Sequence, residues 1–98
     1  MNIQKMMQQA QAMQAKMQNE LAAMRVEATA GGGMVRIEMS GVKEILSVRI
    51  AKAAVDPEDV ETLEDLILAA SREASRRVDE AVQKKTASLL GAMMPGTR

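Results

Sequence analysis

Lysine and arginine are the residues of this chain whose type and placement could do intermolecular chemistry. Arg72, Arg76, Arg77, Lys84 and Lys85 dominate one stretch, while Lys5 and Lys16 are the basic groups near the N-terminus. Guanidinium and ammonium groups on long stems suit a polyanion, whose phosphates they neutralise while releasing counterions. Few other chemistries are open. With no His and no Cys in 98 residues, there is no imidazole base, no thiolate nucleophile and none of the soft ligands of a structural zinc site. Nucleophile, base and orienting group do not recur at any supportive spacing, so the chain is not expected to be an enzyme, and no cofactor or small-molecule substrate is implied. The lack of Phe, Trp and Tyr also removes the stacking platform of a single-strand nucleic-acid reader.

The acids are segregated from these bases. Asp56, Glu58, Asp59, Glu61, Glu64 and Asp65 crowd the start of a helical pattern, where carboxylates complement the positive end of the helix dipole. They lack the glycine-punctuated spacing of a calcium loop, so no metal is expected. Further along, Glu73 to Arg77 and Glu80 to Lys84 are well-oriented i,i+4 pairs. Arg72 and Lys85 have no acid three or four residues away, and Arg72 and Arg76 lie opposite the apolar seam of the helix. The candidate contacts are therefore Lys5, Lys16, Arg72, Arg76, Lys84 and Lys85, with a solvated surface role as the alternative for each. Thirteen bases balance thirteen acids, so net charge supplies no general attraction and the case rests on local charge.

Two long helical patterns flank the segment that would position these groups. The first spans about Asn2 to Met24. Ile3, Ala10, Met17 and Met24 recur every seven residues, with Met6, Met7, Met13 and Leu21 widening the stripe. That stripe packs against the domain or a partner helix, or else forms an open, adaptable groove for client peptides. Arg25 to Thr29 reads as a strand. Gly31-Gly32-Gly33 then opens a second one in which Val35, Ile37 and Met39 alternate with Arg36, Glu38 and Ser40. The glycine run satisfies neither phosphate-loop template, because no Gly-Lys-Ser/Thr follows and position 36 is Arg36, so it is read as a hairpin turn. Gly41 to Glu44 reverses the chain, and Leu46, Val48 and Ile50 supply a third strand, giving an antiparallel meander.

Asp56-Pro57-Glu58-Asp59 reads as a cap and first turn. Val60, Leu63, Ile67, Ala70, Ala74, Val78 and Ala81 then hold one helical face. Residues 51–55 are either a short helical turn or plain connector. Gly91 reads as a helix stop, giving one domain over residues 1–90 and a disordered tail over 91–98. The fold class is α+β, in the order α-β-β-β-α. A core this small and free of aromatics favours a homodimer. The N-terminus has no apolar signal region, so a cytoplasmic location is expected, away from any membrane.

Taken together, the opening Met7-Gln8-Gln9-Ala10-Gln11-Ala12-Met13-Gln14, the Gly33-Met34-Val35 entry to a strand closed by Gly41, and Leu63-Glu64-Asp65-Leu66-Ile67 followed by Ala69-Ala70 and Ala74 resemble the YbaB/EbfC family of nucleoid-associated DNA-binding proteins. The resemblance implies a tweezers-like homodimer with protruding helices, located in the nucleoid and binding duplex DNA with little sequence preference. A methionine-rich protein-interaction adaptor or chaperone-like module is the alternative.

Overall fold

The computed structural model describes residues 2–93. Its elements follow the order α1 (Ile3–Ala23), β1 (Arg25–Ala30), β2 (Val35–Ser40), β3 (Ile45–Ile50), a short 3-10 turn (Lys52–Ala54) and α2 (Val60–Met93). The strands form one antiparallel sheet in the order β1-β2-β3. The turn of three glycines joins β1 to β2 with φ values of 63°, 66° and 92°, a left-handed run that residues with a Cβ adopt at a steric cost.

The period-2 pattern sets what the sheet buries. Ala28, Val35, Ile37 and Met39 meet Ala70, Ala74 and Val78 of α2 in the core, with Val26, Ala30, Leu63, Leu66, Ile67 and Val82 packed around them. Alanine at 70 and 74 lets the helix axis come close to the strands. Val60, assigned to the same face by its spacing, is instead 55% exposed, at the first residue of α2. Arg36 is exposed on the opposite side of the sheet, but Ser40, expected to share that solvated face, is buried. Its Oγ accepts hydrogen bonds from the Val42 and Glu44 amides and so organises the β2-β3 turn.

Three boundaries differ from the pattern reading. The pairing of β2 with β3 shifts between Glu38 and Met39, so Leu46 has no partner and Ile45, Val48 and Ile50 lie opposite Met39, Ile37 and Val35. The strict alternation of Leu46 with Val48 is thus broken by a bulge. The cap of α2 is Asp59, whose carboxylate accepts from the Thr62 amide and hydroxyl. Asp56 and Pro57 belong to the preceding turn, closed by the Asp59 amide on the Asp56 carbonyl, where proline suits the second position. Finally, α2 continues through Gly91 to Met93; tertiary context outweighs a single glycine's propensity cost. The tail residues 94–98 lie outside the described residues.

α1 is held only at its C-terminal end. The Gly41 amide donates to the Leu21 carbonyl at 2.9 Å, and the Arg25 guanidinium donates to the Ala22 and Met24 carbonyls. No residue of α1 is buried; Ile3, Met6, Met7 and Met13 are all more than half exposed. The outer part of the methionine stripe is therefore uncovered within one chain, whereas Met17, Leu21 and Met24, nearer the sheet, are half-buried. The Cα radius of gyration is 19.1 Å and the longest extent 69 Å, against about 13 Å for the radius of a compact chain of this length. The excess comes from helices that leave the sheet.

A Cβ at Gly41 would collide with the Leu21 carbonyl oxygen and stand 3.1 Å from its carbon. Gly41→Ala should therefore cost about 1–3 kcal/mol, as overpacking against backbone does, measured by urea denaturation.

Candidate nucleic-acid interface

The two helices project from the sheet side by side as an arm. Glu20 of α1 meets Lys85 of α2 at 3.5 Å near its base. Farther out, Met13, Lys16 and Met17 face Thr86, Leu89 and Leu90 across an open cleft of about 300 Å³. Every residue of α1 from Ile3 to Lys16 is exposed. Asn2 caps this helix by accepting from the Lys5 amide.

This arrangement divides the six candidate cations into two groups. Lys5, Lys16, Lys84 and Lys85 lie on the arm, whereas Arg72 and Arg76 lie on the stretch of α2 that covers the sheet. Among the described residues, Lys5, Lys16, Arg72 and Lys84 have no carboxylate within ion-pair distance. Arg76 does. It is bracketed by Glu73 and Glu80, so Glu80 pairs with Arg76 rather than with Lys84, and Arg76 is not free as its position opposite the seam suggests. Lys85 has no local acid, as its spacing predicts, but it finds Glu20 across the arm, a partner that only the tertiary structure brings near.

The electrostatics follow from this placement. Residues 2–19 contain no Asp or Glu, and neither do residues 81–93 of α2. The arm thus carries four lysines and, at its base, one carboxylate, Glu20. The acids of residues 56–65 stand at the other end of α2: Asp65 and Lys84 are separated by about 28 Å along the helix, several Debye lengths of about 8 Å at physiological salt. A chain of zero net charge consequently presents a cationic end. A second basic locus was not singled out by sequence reasoning. Arg36 and Arg49 are directly opposite on the outer face of the sheet, with Arg36 paired to Glu27 at 3.2 Å. The alternation of β2 and β3 was the signal that could have found it.

On the body, Glu73 accepts from Arg76 at 3.1 Å and from Arg77 at 3.2 Å, and Arg77 also reaches the Glu27 carbonyl. The hydrogen bonds from Arg76 and then Arg77 hold the Glu73 carboxyl down at about 2, from an ordinary 4.5. Its hydrogen bond to Glu73, with the nearby Glu73 and Glu80 charges, raises the Arg76 guanidinium. Hydrogen bonds from the Thr62 hydroxyl and amide lower Asp59. Among the described residues no group of three carboxylates is placed to hold a metal, and no helix is long and apolar enough to cross a membrane.

The molecule is thus an antiparallel meander covered by the first part of α2, with α1 and the last turns of α2 reaching outward and bearing four lysines. Comparison with known proteins specifies its family. The family model of the YbaB/EbfC DNA-binding family matches residues 1–93. A nucleoid-associated protein of a Thermoanaerobacter strain is 48% identical over 99 aligned residues, covering 97% of this chain and 89% of that one. A nucleoid-associated protein of Halalkalibacterium halodurans is 57% identical over 72, covering 72% and 70%. The fold matches the crystal structure of an uncharacterized Helicobacter pylori protein with a TM-score of 0.71 at 19% identity, over 93% of this chain and 99% of that one. The chain belongs to the YbaB/EbfC DNA-binding family, whose members are DNA-binding proteins and not enzymes.

Because the folded pKa of Glu73 lies below its unfolded value, the ion-pair cluster stabilises the helix fully above the ordinary carboxylate range and loses that contribution as pH falls toward about 2. Carbon-detected NMR titration should place the Glu73 midpoint there, and Arg76→Gln should move it up.

Proposed function

We propose that this protein binds duplex DNA in the nucleoid as a homodimer, with lysine and arginine side chains on phosphates and with little sequence preference. The observation that carries the reading is the carboxylate-poor arm, with Lys5, Lys16 and Lys84 unpaired on it. Long flexible cations reach phosphate oxygens, which position a protein on the duplex without reading its sequence. Arg72 adds an unpaired cation on the body side of α2. The distant acidic end has an orienting role: it is repelled by the duplex, so the arm leads on approach.

The dimer rests on the open side of the sheet. α2 lies over β1 and β2, and β3 receives no such cover. Ile45, Val48 and Ile50, opposite the buried Met39, Ile37 and Val35, remain 50%, 46% and 39% exposed. This apolar lane continues the core to the edge of the sheet, where a second copy completes the layer; two arms then act on one duplex. Val48→Asp should leave a folded single chain and shift the sedimentation-equilibrium mass from dimer to monomer. An unchanged mass would locate the interface elsewhere.

Arg72→Ala with Lys84→Ala should leave stability within about 0.5 kcal/mol, as for other surface substitutions. Gel-shift affinity should nevertheless fall for every duplex tested, and the slope of log K against log salt should shrink by roughly one unit for each phosphate no longer neutralised. Binding that ignores salt and survives this double substitution would favour the methionine face of α1 as a protein-docking surface.

A further inference from the structure

The methionines of this chain are graded by position. Met6, Met7 and Met13 are 56%, 58% and 61% exposed along one stripe of α1, whereas Met39 is 5% exposed in the core. No Cys, Trp, Tyr or His is present, so methionine is the only side chain here that mild two-electron oxidants attack readily. Met13 also sits where oxidation has a structural effect. With Met17, Leu89 and Leu90 it lines the apolar cleft between α1 and α2, and beyond this cleft α1 is tied to α2 by the single Glu20–Lys85 pair among the described residues. A thioether in that cleft is an apolar neighbour; a sulfoxide is a polar group that prefers water.

We propose that Met13, with Met6 and Met7 beside it, is an oxidation site for hydrogen peroxide, and that its sulfoxide loosens α1 from α2 and weakens the grip of the arm on DNA. In the reaction the sulfur lone pair attacks one peroxide oxygen and the O–O bond breaks. The proton on the transferred oxygen passes to the departing hydroxide, which leaves as water. The sulfur is oxidised by two electrons and the peroxide is reduced by two. Sulfoxide reductases, one for each epimer, reverse the change: a dithiol supplies two electrons and is oxidised to a disulfide, and the sulfoxide oxygen leaves as water. The effect on DNA rests on the function proposed above; the loosening of the arm does not.

Limited peroxide treatment of the full chain, read by peptide mass mapping, should oxidise Met6, Met7 and Met13 well before Met39. Amide hydrogen exchange should then rise in residues 13–20, and duplex affinity measured in the same samples should fall several-fold. Sulfoxide reductase should restore both. The Met6→Leu, Met7→Leu, Met13→Leu variant keeps the apolar volume, so it should bind as the untreated protein does and remain unchanged by peroxide. Equal oxidation of Met39, or unchanged exchange once Met13 is a sulfoxide, would overturn the proposal. So would an affinity loss that persists in the leucine variant. If the untreated protein binds no duplex, the DNA reading falls and takes the affinity effect with it, while raised exchange in residues 13–20 would still establish the oxidation-sensitive arm.

Discussion

The width of one helix governs this structure. An α-helix with its side chains is about 10–12 Å across, and strands are spaced about 4.8 Å apart, so a single helix covers two strands well and a third poorly. α2 lies on β1 and β2, with Ala70 and Ala74 setting a close approach. Everything else adjusts to that. β3 keeps an apolar face without a cover, and neither α1 nor the last turns of α2 find sheet to lie on. The same shortage of covering surface thus produces both a lane suited to a second copy and an arm free to reach a ligand.

Anchoring the arm requires rigidity at one point, and the chain supplies it with backbone rather than with a large side chain. Gly41 lets the β2-β3 turn touch the last turn of α1 closely enough for its amide to bond the Leu21 carbonyl. Arg25 satisfies two more carbonyls at that helix end. Lys43, the one non-glycine residue with positive φ among those described, is tied to Asp79 of α2 at 2.9 Å. The turn and the end of α1 are therefore joined through backbone, with the exposed Lys43–Asp79 pair alongside, and the direction in which α1 leaves the sheet follows from the Gly41–Leu21 contact.

Charge follows the same division. On the body, where Arg25, Arg49, Lys52 and Arg72 have no carboxylate partner among the described residues, four bases are paired with acids: Arg76 with Glu73 and Glu80, Arg77 with Glu73, Arg36 with Glu27 and Lys43 with Asp79. Such exposed pairs add little stability, but they lower the number of cations available to a polyanion. On the arm the lysines have almost no acids to pair with. A zero net charge conceals this polarity, because the screening length is short compared with the length of α2.

Much of this was legible in the sequence because it depends on local periodicity. The alternation of Val35, Ile37 and Met39, the seven-residue recurrence on α1, the row Leu63, Ile67, Ala70, Ala74 and Val78, and the segregation of acids from bases determine the elements, their order and the identity of the core. The family followed from the same residues in the same order. What only the tertiary structure decided are matters of reach across the chain. The bulge at Leu46 aligns Ile45 with Val48 and Ile50. Glu20 takes Lys85 out of the set of unpaired cations, and Glu80 chooses Arg76 over Lys84. The outer methionines of α1, Met6 and Met7, stay in solvent because the sheet surface able to cover them is already occupied by α2. Periodicity states which side of an element is apolar; only packing states whether another surface of the same chain is there to meet it.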